Sequence, residues 1–342
     1  MRKLFAVLLV VTMMVGLVAC DNGNTDPDGE VITLRYTHYQ PGTLDQPKQA
    51  AAEAFKAYVE GKTNGKIVVE IYPNSELGDA NTVLEGLKVN SIQMTVVHDG
   101  PLSAIYAPAG VFNIPFLFND QSEAWTIFDS EYVKTMGEDM ASEVGIRMLG
   151  MADNGVRHFT NSKRPITKLA DMAGLTIRVQ PSPLYETLIE SLGANPTAIA
   201  WAELPTALQQ GLADGQENGV TNILAAKLYE TQKYVTLDAH VYSFHAYLIS
   251  ETFWDSLSND QRKIVQEAVD IAKWVHRGMT ANQDLNAKAI LTSVGMEVTE
   301  LSAEAVQEFR DAAQPGVVAW MKTNVDAHWI DDLLEEIEAL RN

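Results

Sequence analysis

Residues 31–72 read VITLRYTHYQPGTLDQPKQAAAEAFKAYVEGKTNGKIVVEIY, and this stretch decides the fold class. Val31 to Tyr36 (VITLRY) is rich in β-branched and aromatic residues and predicts a strand. Pro47 to Glu60 predicts an amphipathic helix. Ala50, Ala54, Ala57 and Tyr58 recur near helical spacing, and proline is tolerated at a helix start. Gly61 to Gly65 breaks the helix, Lys66 to Tyr72 (KIVVEIY) predicts a second strand, and Pro73-Asn74 a turn. A helix over Gly78 to Val89 and a strand over Ile92 to Val97 continue the alternation. Strands alternating with helices imply a sheet with parallel strands covered by helices, an α/β fold.

The alternation restarts after Gly150. Strands are predicted over Gly155 to Asn161, Leu175 to Val179 (LTIRV) and Thr197 to Trp201, with a short helical turn over Thr167 to Met172. A helix over Leu184 to Leu192 ends at Gly193. Another over Glu203 to Gly211 puts Leu204, Leu208 and Leu212 on one face, and Asp214 to Glu217 returns toward a sheet. Two such runs, separated near residue 150, predict two lobes with a cleft between them. Asp255 to Thr280 then carries Leu257, Ile264, Val265, Ala268, Ile271, Ala272 and Val275 near helical spacing, with N-cap chemistry at Ser258-Asn259-Asp260. About two dozen residues at ~1.5 Å each make a rod of roughly 35–40 Å, long enough to bridge both lobes. Ala303 to Ala312 and Ile330 to Arg341 predict packing helices. The expected division is residues 31–153 with about 244–280 in lobe I, and 154–243 with about 281–342 in lobe II.

The N-terminus carries its own message. Met1-Arg2-Lys3 precedes an apolar run, Leu4 to Val18, that ends Leu17-Val18-Ala19-Cys20. A basic start, a short apolar core and small residues before a cut describe a secretory signal peptide over residues 1–20. The last four residues resemble a bacterial lipobox, which implies that Cys20 is lipidated and becomes the new N-terminus. The apolar run is too short to span ~30 Å comfortably. Cys20 is the only cysteine, so no disulfide forms within the chain. Asp21 to Glu30 (DNGNTDPDGE) reads as a flexible tether. Asp21 directly after the cysteine predicts retention at the inner membrane in a Gram-negative cell. The expected location is the periplasmic face of that membrane, held by lipid.

Hydrophobic residues make up 46% of the 342, enough for sizeable cores, and the net charge is −20. Loss of Arg2 and Lys3 with the leader takes it to −22. Such a surface repels nucleic acid and anionic headgroups. A site for an anion therefore needs concentrated local positive charge. No G-x-S-x-G, H-E-x-x-H, Walker loop or G-x-G-x-x-G is present. The seven histidines show no metal-ligand spacing. No enzyme, metal or cofactor is predicted.

A set of segments carries a specific resemblance. They are Asn154-Gly155-Val156-Arg157-His158-Phe159-Thr160-Asn161-Ser162-Lys163-Arg164-Pro165-Ile166, then Gly174-Leu175-Thr176-Ile177-Arg178-Val179, Leu192-Gly193-Ala194-Asn195-Pro196, and Ala207 to Asn218 (ALQQGLADGQEN). Together they resemble the solute-binding subunit of tripartite ATP-independent periplasmic (TRAP) transporters, of the C4-dicarboxylate-binding type, from about Leu34 to Ser250 and more weakly beyond. The resemblance implies a two-lobed binding-protein fold, an organic-acid ligand, and membrane permease subunits as partners driven by an ion gradient.

It also assigns roles. Arg178 matches the arginine that holds the ligand carboxylate. Its planar fork suits a carboxylate, and an arginine in an apolar strand needs an anion, either the ligand's or a protein carboxylate's. Asn218 matches an asparagine bonding the same carboxylate. Arg157 matches a position that often touches ligand polar groups; the other reading is a hinge or surface residue. Trp201 matches an aromatic that covers the ligand, against an ordinary core tryptophan on a strand. Asn218 is followed by Gly219 where family members have proline, which leaves the next contacts open. In the first lobe, His38, Tyr39 and Gln40 follow the first strand, and His98 and Asp99 the third, where this fold aims loops into the cleft. Asp99 is a candidate acceptor for sugar hydroxyls. Gln180 and Ser182 follow Arg178 and face the same way. A C4-dicarboxylate and a hexuronate are the two candidate ligands. A solute-binding lipoprotein of an ATP-driven transporter and a lipoprotein hydrolase are the alternative functions.

Overall fold

The computed structural model describes residues 31–342. The leader, Cys20 and the tether lie outside the described residues. Nine strands run in chain order: β1 (Ile32–Thr37), β2 (Ile67–Tyr72), β3 (Met94–His98), β4 (Ile146–Asn161), β5 (Thr176–Val179), β6 (Asn195–Ala198), β7 (Gly215–Gly219), β8 (Tyr234–Ser250) and β9 (Glu297–Glu300). They form one sheet in the order β2-β1-β3-β8-β4-β7-β5-β6, with β9 added against β8.

The predicted alternation produces the two ends of this sheet. β1 pairs in parallel with β2 and β3, and β5 with β6 and β7. The middle of the sheet adds antiparallel pairing to these parallel ends. β4 and β8 run antiparallel to each other over nearly their whole length. The C-terminal half of β8, His245 to Ile249, pairs with β3, while the C-terminal half of β4, Arg157 to Asn161, pairs with β7. Each strand therefore serves one end of the sheet with one half and the other end with the other. The fold is α/β and two-lobed, and its lobes share two continuous strands.

Register breaks between Met148 and Gly150, Asp153 and Gly155, and Arg157 and Phe159 let β4 bend between the ends. Gly155 has φ +98°, which a side chain rarely tolerates. Opposite it, a Cβ on Gly219 would lie 2.6 Å from the Asn154 carbonyl oxygen. Close approach of β4 thus accounts for glycine, rather than proline, after Asn218.

Three apolar clusters hold the elements. Leu34, Tyr36 and Val69 pack with Phe55 and Val59 of the helix Pro47–Lys62, and with Val265, Ala268, Val269 and Ala272 of the long helix. Leu204, Leu208, Ile223, Val235 and Leu291 form a second cluster. The largest runs from Leu84, Phe112 and Phe128 through Phe159 and Phe244 to Ile177, Leu188 and Phe309. Leu212, expected on the buried face of the Leu204–Gln209 helix, is exposed, because that helix ends before it.

The long helix spans Asn259–Leu285 and starts at a Ser258/Gln261 capping box. Its early turns pack on the first lobe. Near its end, Gln283 accepts from Thr221 at 2.5 Å and Asp284 from the Val156 amide at 3.2 Å, so it reaches the second. Among the described residues no helix is long and apolar enough to cross a membrane.

Candidate functional site

The carboxyl ends of the parallel strands face one another across the sheet's middle, where α/β sheets place ligands. A cavity lies there, with about 340 Å³ of space not filled by atoms, counted out to its mouth. The first lobe contributes Tyr39, Gln40, Lys48 and His98. The second contributes Arg157, Arg178, Gln180, Trp201 and Asn218, and Asn154, Asn222 and His245 complete it. No aspartate or glutamate is among these twelve residues, although the chain has 45. Three cations line the cavity of a strongly acidic protein.

Arg178 sits on β5, 1% exposed. Its Nε and Nη2 donate to the Ile199 carbonyl at 2.8 and 2.6 Å. That leaves Nη1 directed elsewhere, and no carboxylate lies within ion-pair distance among the described residues. Burial pulls its pKa down to about 9; attraction from Glu217 works against this and repulsion from Arg157 adds to it. The group stays charged at neutral pH while protein carboxylates only partly offset it. The alternative of a structural ion pair for Arg178 is not what the geometry contains.

Arg157 holds that place instead. It is neither a surface residue nor an unpaired one. Its Nε and Nη2 grip Glu217 bidentately, Nη2 to Oε1 at 2.7 Å, and Nη2 also reaches the Glu217 carbonyl at 2.7 Å. Glu217 in turn lies 3.4 Å from His240 Nε2, and His240 Nδ1 lies 2.7 Å from Asp238. Four fully buried charges therefore alternate in sign: Arg157, Glu217, His240, Asp238. Burial opposes each charge, but the neighbours win. Glu217 and Asp238 are held below the usual carboxylate range, and His240 rises to about 9.

Asn218 lines the cavity and donates Nδ2 to Gln216 at 2.8 Å, while its oxygen accepts from Asn222 at 2.9 Å. This leaves one N–H for a ligand. Trp201 lies on a 3₁₀ turn, Trp201–Glu203, not on a strand, because β6 ends at Ala198. It is half-buried, and its indole N–H reaches across to the Tyr39 carbonyl at 3.3 Å. The Tyr39 ring meets His98 edge-on at 5.5 Å. Trp201, Tyr39 and His98 thus make one aromatic wall joining the lobes.

Three predicted residues, His38, Asp99 and Ser182, are not among those lining the cavity. His38 does not line the cavity: its Nε2 turns to Gln49 at 2.8 Å, and burial pushes its pKa down to about 4. Asp99 does not line it either. Its two oxygens accept from Gly100 N, Gln180 Nε2, Asn113 Nδ2, Tyr185 OH and Ser243 Oγ, all within 2.9 Å. With five donors already on it, no acceptor capacity remains for a sugar hydroxyl. Asp99 instead ties the end of β3 to residues 180 and 185 of the other lobe. Ser182 joins the same seam, 3.3 Å from Ser103.

The sequence model of the bacterial extracellular solute-binding proteins, family 7, matches residues 39–323. The chain belongs to that family. Among its relatives is the C4-dicarboxylate-binding periplasmic protein DctP of Rhodobacter capsulatus, 30% identical over 84% of this chain and 85% of the relative. The sugar acid binding protein of Advenella mimigardefordensis, solved with galactonate, superposes with a TM-score of 0.86 at 28% identity, covering 91% of this chain and 99% of that one. A TRAP periplasmic solute-binding protein of Sulfurospirillum deleyianum with bound succinate gives 0.81 at 27% identity, covering 91% and 99%. The protein is a TRAP-type solute-binding subunit.

For this family 7 protein, sequence reasoning missed one cavity residue of consequence. Lys48 is the second residue of the helix Pro47–Lys62 and 3% exposed. A signal existed. Cations are disfavoured at a helix N-terminus, where the backbone dipole is positive. A lysine there, beside the Tyr39-Gln40 loop, needs a compensating group.

Proposed function

We propose that this protein captures an organic acid by its carboxylate and hands it to the membrane permease of a TRAP transporter, from a lipid tether at Cys20. One observation carries the ligand class: the Arg178 guanidinium, buried at the cavity without a carboxylate partner. A buried lone cation is costly, and a ligand carboxylate is the group that relieves it while matching its fork. Asn218 adds an uncharged donor beside it. The paired Arg157 contributes field and shape rather than a free charge, and Gln180 shapes the seam beside the cavity. Residues 31–153 with about 244–280, and 154–243 with about 281–342, would close on one another through the Trp201–Tyr39 contact. In this reading the ligand leaves chemically unchanged.

The succinate and galactonate complexes of similar proteins support both a C4-dicarboxylate and a sugar acid as the acid class. The test is a thermal-shift screen of the purified protein against organic acids and their neutral amides. Acids that bind raise the melting temperature by mass action, and the matching amides do not. If amides and acids shift it equally, the carboxylate reading is wrong.

A further inference from the structure

We propose that Lys48 and Gln40 form a second anion-binding subsite on the first-lobe wall of the cavity, so that the protein selects acids bearing a second carboxylate over hydroxylated mono-acids. This rests on the reading of Arg178 as the first carboxylate anchor.

Lys48 lines the cavity, and among the described residues no carboxylate comes within 4 Å of its ammonium. Its one close partner is the Tyr39 ring, 5.4 Å from Nζ to the centroid. Gln40 lies against it: its Oε1 accepts from the Lys48 backbone N–H at 2.9 Å, and its buried Nε2 has no partner. Two adjacent donor groups, the Lys48 amine and the unpartnered Gln40 amide, therefore belong to residues that line the cavity from the first lobe. The nearby acid does not compensate. Asp99 attracts the Lys48 charge, but it is bound by five donors, and burial still pushes the lysine pKa down to about 7. His98 lines the same cavity and feels both cations: after burial, Lys48 and Arg178 are the largest influences depressing its pKa.

Several amide oxygens of the cavity are already engaged: those of Asn218 and Asn154 both accept from Asn222, and the Gln40 oxygen is on the Lys48 amide. A hexuronate brings hydroxyls, which both donate and accept, but no second charge for Lys48. A dicarboxylate brings acceptors and the missing negative charge.

The experiment is titration calorimetry with succinate, malate and glutarate, each against its half-amide, and with galacturonate. Wild type should bind at least one dicarboxylate about ten-fold or more tighter than its half-amide. Lys48→Met should bring that ratio within about three-fold, whereas Arg178→Ala weakens diacid and half-amide alike. Melting curves establish that each variant is folded. The wild-type ratio tests the inference even where a variant is not. A wild-type ratio near one, a ratio that survives Lys48→Met, or galacturonate binding tighter than every diacid overturns the second subsite and leaves the Arg178 anchor standing. No binding by any acid overturns both.

Discussion

Replacing Arg178 with alanine isolates the contact on which binding depends. The wild-type guanidinium is fixed by two bonds to Ile199 O, at 2.8 and 2.6 Å, so its remaining edge is already oriented. Little rotamer entropy is lost when a carboxylate arrives. Alanine leaves that carboxylate buried with no cation at this wall. Asn218 offers one N–H, since its other amide proton lies on Gln216, and Arg157 is held by Glu217. Removing one member of a buried charge pair costs about 3–5 kcal/mol, or roughly two to four decades in affinity. Arg178→Lys should also weaken binding, because an ammonium cannot bond Ile199 O and a carboxylate with the same planar fork. The ligand-free fold should persist. Ile199 O loses its donors at about 1–3 kcal/mol, and relief of a partly compensated buried cation acts the other way. Calorimetry on both variants, with the acid found by screening, measures the loss. If Arg178→Ala binds within about three-fold of wild type, the carboxylate sits elsewhere and the argument from the lone guanidinium is wrong.

Glu217→Gln should cost about 3–5 kcal/mol of unfolding free energy, because it strands Arg157 and removes one neighbour of His240; an unchanged denaturation midpoint would show the alternating cluster to be energetically idle. His240, raised to about 9 from 6.5, contributes stability fully present below pH 6.5 and lost as pH rises through 9, roughly 3–4 kcal/mol. Lys48, depressed to about 7, acts in the opposite sense between pH 7 and its ordinary 10.5. The readout is therefore the difference between wild type and His240→Gln in urea titrations from pH 6 to 9.5, which should shrink as pH rises; a constant difference would mean that His240 is not charged in the fold. Cys20→Ser should release the protein from the membrane fraction on cell fractionation, and retention equal to wild type would mean that a lipid on Cys20 is not the anchor.

Much of this was legible in the sequence, and the misses have physical causes. The Pro47–Lys62 helix and strands β1 and β2 are half-buried elements, so their periodicity survives in the sequence. The sequence predicts no element between Asn218 and Asp255, yet β8 fills nearly half of it. Its C-terminal half is buried on both faces, which erases alternation, and an Asp-Ala-His bend with Ala239 at φ +53° interrupts it. Arg178 is conspicuous as a charge inside an apolar strand, but that alone suits a protein carboxylate as well as a ligand's, and it is the surrounding motif that marks it as an anchor. The pairing of Arg157 with Glu217 could not be picked out, since the partners are 60 residues apart. Asp99 misled for a related reason: its position after β3 is where cleft residues occur, but four of its five donors, on Asn113, Gln180, Tyr185 and Ser243, lie 14 to 144 residues away.

The two strands common to both lobes limit how this protein is divided or recombined. In many multidomain chains a flexible linker marks where one unit can be cut out, expressed alone or grafted onto a relative. Here the passages at β4 and β8 are themselves sheet hydrogen-bonded. Cutting at residue 150 would leave each fragment with a raw sheet edge, prone to pairing with other chains. A chimera that borrows one lobe to change ligand preference must therefore carry matched β4 and β8 segments with their register breaks. Specificity is more safely exchanged by single side chains on a retained scaffold, and truncated fragments should be expected to aggregate rather than bind.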